Sequence, residues 1–297
     1  MWFIIGNLAL LANIYLHYAL DLWAARWRRR EATGDMIIVR YADDFIVGFQ
    51  HENDARRFLD EMRNRLQEFA LSLNPEKPRI IEFGRFATER RERRGLGKPE
   101  TFNFLGFTFI CGKTRAGKFQ IKRKTRGDRM RAKLQEMKQE MRRRIHQPIP
   151  AQGQWLGRVV CGYFNYHAVP TNGRALEVFR HHVTDFWRRT LRRRSQKDRI
   201  TWARMTQLMD GWLPKPIILH PWPSDRFAVT HPRWEPYAGK PHVRIWCSEA
   251  SCHSSGWKSR QQRSPVAVVV ISSNGEGDRS GESLEVKVPG GWGSIPV

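Results

Sequence analysis

Cysteine is scarce in this chain. The four present in 297 residues, Cys111, Cys161, Cys247 and Cys252, are too few and too scattered to staple a small scaffold. The fold must therefore rest on a packed core, for which 40% hydrophobic residues suffice. Cys247-x4-Cys252-His253 offers the residue types of a zinc site, but no second close pair accompanies it, so a metal there is not expected. The chain also lacks a basic stretch ahead of its apolar start, which argues against a secretory signal. Residues 2–20 have the hydrophobicity of a membrane span, yet Asn7, Asn13 and His17 interrupt them, and each is costly in hydrocarbon. A buried core helix is expected there, with no membrane partner. Acidic side chains are the other shortage: 29 Asp and Glu stand against 52 Lys and Arg, a net charge of +23. Such a field attracts polyanions, nucleic acid above all.

The excess of charge belongs to one segment. Residues 1–112 carry a net +2 and residues 195–297 a net +4, whereas residues 113–194 hold 22 basic and 5 acidic side chains. Solubility does not require such clustering, so the segment reads as a binding surface.

Hydrophobic spacing gives the elements. A helix is expected over 8–27, followed by the Arg28–Arg30 run and a turn at Gly34-Asp35. Met36–Arg40 and Phe45–Phe49 are short Ile/Val-rich runs flanking Ala42-Asp43-Asp44, the pattern of a β-hairpin with the acids at or near its tip. Asn53 or Asp54 can then cap a helix whose apolar positions fall at Ala55, Phe58, Leu59, Met62, Leu66 and Phe69. A strand follows at Arg79–Phe83, and a hairpin is expected from Phe102–Ile110 and Phe119–Ile121. Helices are expected over 125–146, 155–168, 174–194 and 199–210. Beyond Trp212 the helical period is lost. Residues 254–297 are Ser- and Gly-rich with one apolar run, Val266–Ile271, and are expected to be poorly ordered.

Two adjacent carboxylates at the turn of an apolar hairpin repel each other, and a divalent cation resolves the repulsion. Hard Mg²⁺ takes carboxylate oxygens together with substrate phosphates, and a pair of such ions is the usual apparatus of in-line phosphoryl transfer. Tyr41-Ala42-Asp43-Asp44, set between Ile/Val strands, resembles the signature hairpin of reverse transcriptases, and the wider run IIVRYADDFIVGF resembles the group II intron branch. Leu11–Trp23 (LANIYLHYALDLW) is similar to the palm helix that precedes that hairpin. Leu73–Ala87 (LNPEKPRIIEFGRFA) resembles the next palm element, and Phe102–Phe109 (FNFLGFTF) the hairpin that supports the primer. Gly162–His167 (GYFNYH) and FRHHVTDFWRRTLRRRSQ look like the maturase-specific thumb, and Arg226–Trp246 like the end of one bacterial subclass.

The resemblance implies an α+β chain: a partial polymerase palm over 1–112, then a basic helical thumb and maturase domain over 113–211. An irregular Pro- and Trp-rich extension over 212–253 and the tail 254–297 would follow. It implies Mg²⁺ on Asp43 and Asp44, with Lys77 as a third catalytic group neutralising triphosphate charge, and Tyr41, Ala42 and Asn13 near the nucleotide. The partners implied are group II intron RNA and primer/template nucleic acid, and the setting the bacterial cytoplasm or its nucleoid. Candidate RNA-binding residues are Lys122, Arg123, Lys124, Arg126, Arg129, Lys133, Arg142, Arg143, Arg188, Arg189, Arg192, Arg193 and Arg194. Basic groups interleaved with Phe186 and Trp187 suit RNA, although Phe179, Phe186 and Trp187 are each expected in the core. The pattern departs at Pro78, where Thr is expected, and at Gly6-Asn7-Leu8-Ala9, where a Gly-rich turn and Ser-Pro are expected. A further carboxylate carried on an upstream strand in this family is not found. The chain is accordingly expected to be a truncated reading frame or a fragment without polymerase activity of its own. A non-enzymatic RNA-binding module is the alternative.

Overall fold

The computed structural model describes residues 10–71, 73, 78–194, 200–222 and 225, and the backbone of 267–271. Among them lie two compact units, one spanning most of the chain up to Phe102 together with the strand at 267–271, the other built from Asn103–Thr114 and the helices from Gln120 onward.

In the first unit, residues 10–30 are one helical run, with a π-helical turn at His17–Asp21 leading into α1 (Leu22–Arg30). The run is half buried. Ala19, Leu20, Ala24 and Trp27 face the core, while Leu10, Leu11, Tyr18 and Leu22 lie exposed. No helix among the described residues is long and apolar enough to cross a membrane. The chain then forms the expected hairpin, β1 (Met36–Tyr41) against β2 (Asp44–Phe49), antiparallel, with Met36 opposite Phe49 and Tyr41 opposite Asp44. On β2, Phe45, Val47 and Phe49 alternate into the core, as a period of two requires.

Helix α2 (Glu52–Glu68) covers that face with Ala55, Phe58, Leu59, Met62 and Leu66, the positions its spacing indicated. Trp27, Phe49 and Phe58 pack as an aromatic trio with ring centroids 5.1–6.0 Å apart. The cap of α2 differs from expectation. The residue before it is His51, which makes no side-chain cap bond. Asp54 instead turns back, and its carboxylate accepts hydrogen bonds from the Thr33 amide and hydroxyl and from the Gly34 amide, which ties the helix to the turn before β1. After β3 (Arg79–Glu82) comes a short helix, α3 (Ala87–Arg93), which the sequence pattern did not indicate.

The sheet order is β1-β2-β7-β3, and β7 is Ala267–Ile271. These five residues form a strand within 254–297; the rest of that segment, and Cys247, Cys252 and His253, lie outside the described residues. The physical reason is plain from the ladders. β2 and β3 do not pair with each other, and a run of β-branched residues completes both edges, Val269 lying opposite Val47 on one side and Ile80 on the other.

In the second unit β4 (Phe102–Phe104), β5 (Phe107–Lys113) and β6 (Phe119–Thr125) form an antiparallel sheet in chain order. The strand expected to run unbroken from Phe102 to Ile110 is folded at Leu105-Gly106. Both turn residues are left-handed, at φ 46° and 75°, as a two-residue hairpin turn demands. The helices are α4 (Gly127–Arg143), α5 (Ile149–His167), α6 (Gly173–Arg194) and α7 (Trp202–Trp212). Their core is assembled from Met137 and Met141, Leu156 and Val160, and Leu176, Phe179 and Trp187. The Trp187 indole N–H donates to the buried Gln152 amide oxygen at 2.9 Å, so one of the few polar groups in this interior is satisfied.

Candidate functional site

The acidic hairpin turns in two residues. Tyr41 pairs with Asp44 at the last rung, leaving Ala42 and Asp43 as the loop, and Ala42 sits at φ 53°. A left-handed alanine is costly, by roughly 1–2 kcal/mol. Asp43 is half buried at the turn, Asp44 begins β2 and is buried, and Tyr41 is 65% exposed beside them. Local sequence explains the arrangement: Ile/Val runs hold the strands, and only the short polar tip is free of ladder constraints.

The flank of this turn is tied by Arg40. Its Nε and one terminal nitrogen donate to the two carboxylate oxygens of Asp21, each at 2.8 Å. The other terminal nitrogen donates to Asn13 Oδ1 at 3.0 Å and to the Ala42 carbonyl at 2.8 Å. Asn13, expected near a nucleotide, is thus beside the hairpin but engaged by Arg40. Lys77 lies outside the described residues.

Two adjacent carboxylates are an oxygen donor set of the kind Mg²⁺ takes when it keeps several waters and binds substrate phosphates as well. Asp43 and Asp44, one half buried and the other buried, are oxygen donors of that chemistry. Among the described residues no cluster of three or more His, Cys, Asp or Glu side chains stands ready for a metal, so they do not by themselves make a two-ion centre.

In the second unit the candidate RNA-binding residues divide. Arg126 is 6% exposed, and its guanidinium forks onto Asp128 at 2.6 and 3.1 Å just ahead of α4. Hydrogen bonding from Arg126 is the main cause holding the Asp128 carboxyl below its usual pKa. The fork engages two of the five N–H donors of that guanidinium. Lys133 pairs with Glu136, Arg143 with Glu140, and Arg189 with Asp185. Arg188 lies over the Trp202 ring at 4.2 Å. Lys124, Arg129 and Arg142 are exposed, as is the whole Arg192–Arg194 run in the last turn of α6, while Lys122 and Arg123 are half buried on β6. Phe179 and Trp187 are fully buried and Phe186 partly so, which makes them core.

Beneath β6 the Thr171-Asn172 loop is stitched to the strand. The Arg123 amide donates to Thr171 Oγ1, and the Thr125 amide to the buried Asn172 side chain, both at 2.9 Å. Next to it, burial pushes His167 down to about 4 and Tyr163 up to about 12.

The sequence pattern did not single out Arg40 or Asp21. For Arg40 a signal was present: a single charge in the otherwise apolar strand MIIVRY needs a partner.

No curated protein matches the chain. Residues 7–109, the acidic hairpin included, match the family model described as Reverse transcriptase (RNA-dependent DNA polymerase), so this part of the chain is similar to that family.

Proposed function

We propose that the chain is a group II intron-type reverse transcriptase and maturase piece, which grips intron RNA through its basic helices and presents Asp43 and Asp44 as magnesium ligands. The observation that carries the reading is the pair of acids at a two-residue hairpin turn inside the segment matching the reverse transcriptase family. Bound Mg²⁺ would supply charge neutralisation for a phosphate-linked reaction at a 3′-hydroxyl. Asp43 and Asp44 would hold the ion, Tyr41 offers an exposed ring at the same turn, and Lys77, by resemblance, would neutralise phosphate charge. The net +17 of residues 113–194 supports an RNA partner, and the bacterial cytoplasm or nucleoid is the setting that the resemblance implies.

Two carboxylates fall short of a two-ion centre, so primer extension on an RNA template by this chain alone is expected to be undetectable; measured synthesis would overturn that part. The metal reading is tested by titrating Mn²⁺ and following its paramagnetic resonance. The wild-type chain should bind and the Asp43→Asn and Asp44→Asn variants should not. Equal binding by all three removes the site. The alternative, an RNA-binding module that aids splicing without any metal role, is favoured if RNA affinity and splicing of a group II intron transcript are unchanged by both substitutions.

A further inference from the structure

We infer that Arg40 is a positioning residue for the Asp43–Asp44 pair, held in place by a π-helical turn that brings Asn13 and Asp21 onto one helix face. The inference rests on the metal reading above and adds what sets the geometry of the turn.

Asn13 and Asp21 are eight positions apart. On an unbroken α-helix at about 100° per residue they would lie roughly 80° apart around the axis, too far round for one guanidinium to meet both squarely. The π turn His17–Asp21 lies between them. A π turn takes up about one extra residue, so the separation works out as close to seven α-helical positions, two turns, and the two side chains share a face. Arg40 reaches that face from β1 and uses three nitrogens on it, a fork on Asp21 and one bond to Asn13. His17 Nδ1 also lies 3.3 Å from Asp21.

What the anchored guanidinium then holds is the Ala42 carbonyl. That carbonyl belongs to the peptide linking Ala42 to Asp43, so its direction sets how the Asp43 Cα, and with it the carboxylate, leaves the turn. The peptide needs holding because Ala42 is left-handed, and strained backbone persists only where its surroundings over-determine it. The Arg40 side chain is 16% exposed and that of Asp21 29%, so the fork is partly shielded from water.

Charge and positioning make opposite forecasts, which makes the idea testable. Removing a cation beside two metal-binding carboxylates should strengthen cation binding if Arg40 acts only through its charge. If Arg40 positions the turn, Arg40→Gln should weaken Mn²⁺ binding by about 10- to 100-fold, the range seen when groups that orient metal ligands are removed. Asp21→Asn, which keeps the guanidinium but breaks the charged fork, should weaken it too, and Arg40→Lys should not rescue, because an ammonium cannot fork.

A second measurement stands free of the metal. Amide hydrogen exchange in the full chain should quicken at Asp44, on the rung that closes the turn against Tyr41, in Arg40→Gln and Asp21→Asn, while the ladder amides at Val39 and Ile46 stay protected. Unchanged exchange at the turn, or tighter Mn²⁺ binding by Arg40→Gln, overturns the positioning role. If instead the wild-type chain binds no Mn²⁺ that Asp43→Asn abolishes, the metal reading fails, and the exchange data alone decide whether Arg40 fixes the turn. Should Arg40→Gln unfold the chain, Asp21→Asn carries both measurements.

Discussion

At the scale of single residues, local chemistry was legible and distant partnership was not. Asp43 and Asp44 stood out because like charges at a turn are anomalous whatever surrounds them. Arg40 did not stand out, because its partners Asp21 and Asn13 lie 19 and 27 positions away. His167 offers a test at this scale. Burial holds it neutral in the folded chain, down to about 4 from an ordinary 6.5. The unfolded chain therefore binds more protons between those values, and stability must fall as pH drops from about 6.5 towards 4. Asp54 and Asp128 act further down. For Asp54 desolvation is the largest single influence and raises its pKa, but the bonds from Thr33, Arg57 and Gly34 together outweigh it, so both carboxyls lie below 3.8. Their contribution is complete above that value and is lost only in stronger acid. Melting temperature of the wild-type chain should decline from pH 7 to pH 4, and His167→Phe, which cannot take up a proton, should flatten that decline. A wild-type melt that stays level to pH 4 would contradict the burial argument.

At the scale of elements, period decided what could be read. Helix α2 showed its buried face because five apolar residues recur at helical spacing. Truncating the most enclosed of them, Phe58→Ala, should cost about 3–5 kcal/mol in a denaturant titration, since a large cavity opens among Trp23, Trp27 and Phe49. Strand β7 could not be placed from sequence. Its five residues sit in Ser- and Gly-rich surroundings, and its partners β2 and β3 lie far upstream, so neither composition nor spacing connects them. An interior strand tolerates proline poorly because the ring removes a ladder donor. Val269→Pro, at the position facing both Val47 and Ile80, should raise deuterium uptake in β2 and β3 together and leave α4, α5 and α6 unchanged. Protection retained in both strands would mean that β7 contributes little to the sheet.

At the scale of the whole molecule, the sign and location of charge were legible throughout, because neither depends on folding; which arginines remain open to a partner was not. Arg126 is buried against Asp128, Arg143 and Arg189 stay largely exposed in pairs with Glu140 and Asp185, and the Arg192–Arg194 run lies exposed at the end of α6. Counterion release turns that difference into a measurement. Each phosphate neutralised contributes about 0.7–0.9 to the slope of log affinity against log salt. Replacing Arg192, Arg193 and Arg194 by Gln removes at most three such contacts and should flatten the slope for a structured RNA by about 2. Arg126→Gln should leave the slope as it is and lower the melting temperature, because the charge it removes faces Asp128. An unchanged slope in the triple variant takes the end of α6 out of the RNA-binding surface, and a flattened slope in Arg126→Gln would show that burial at Asp128 does not keep that guanidinium from phosphate.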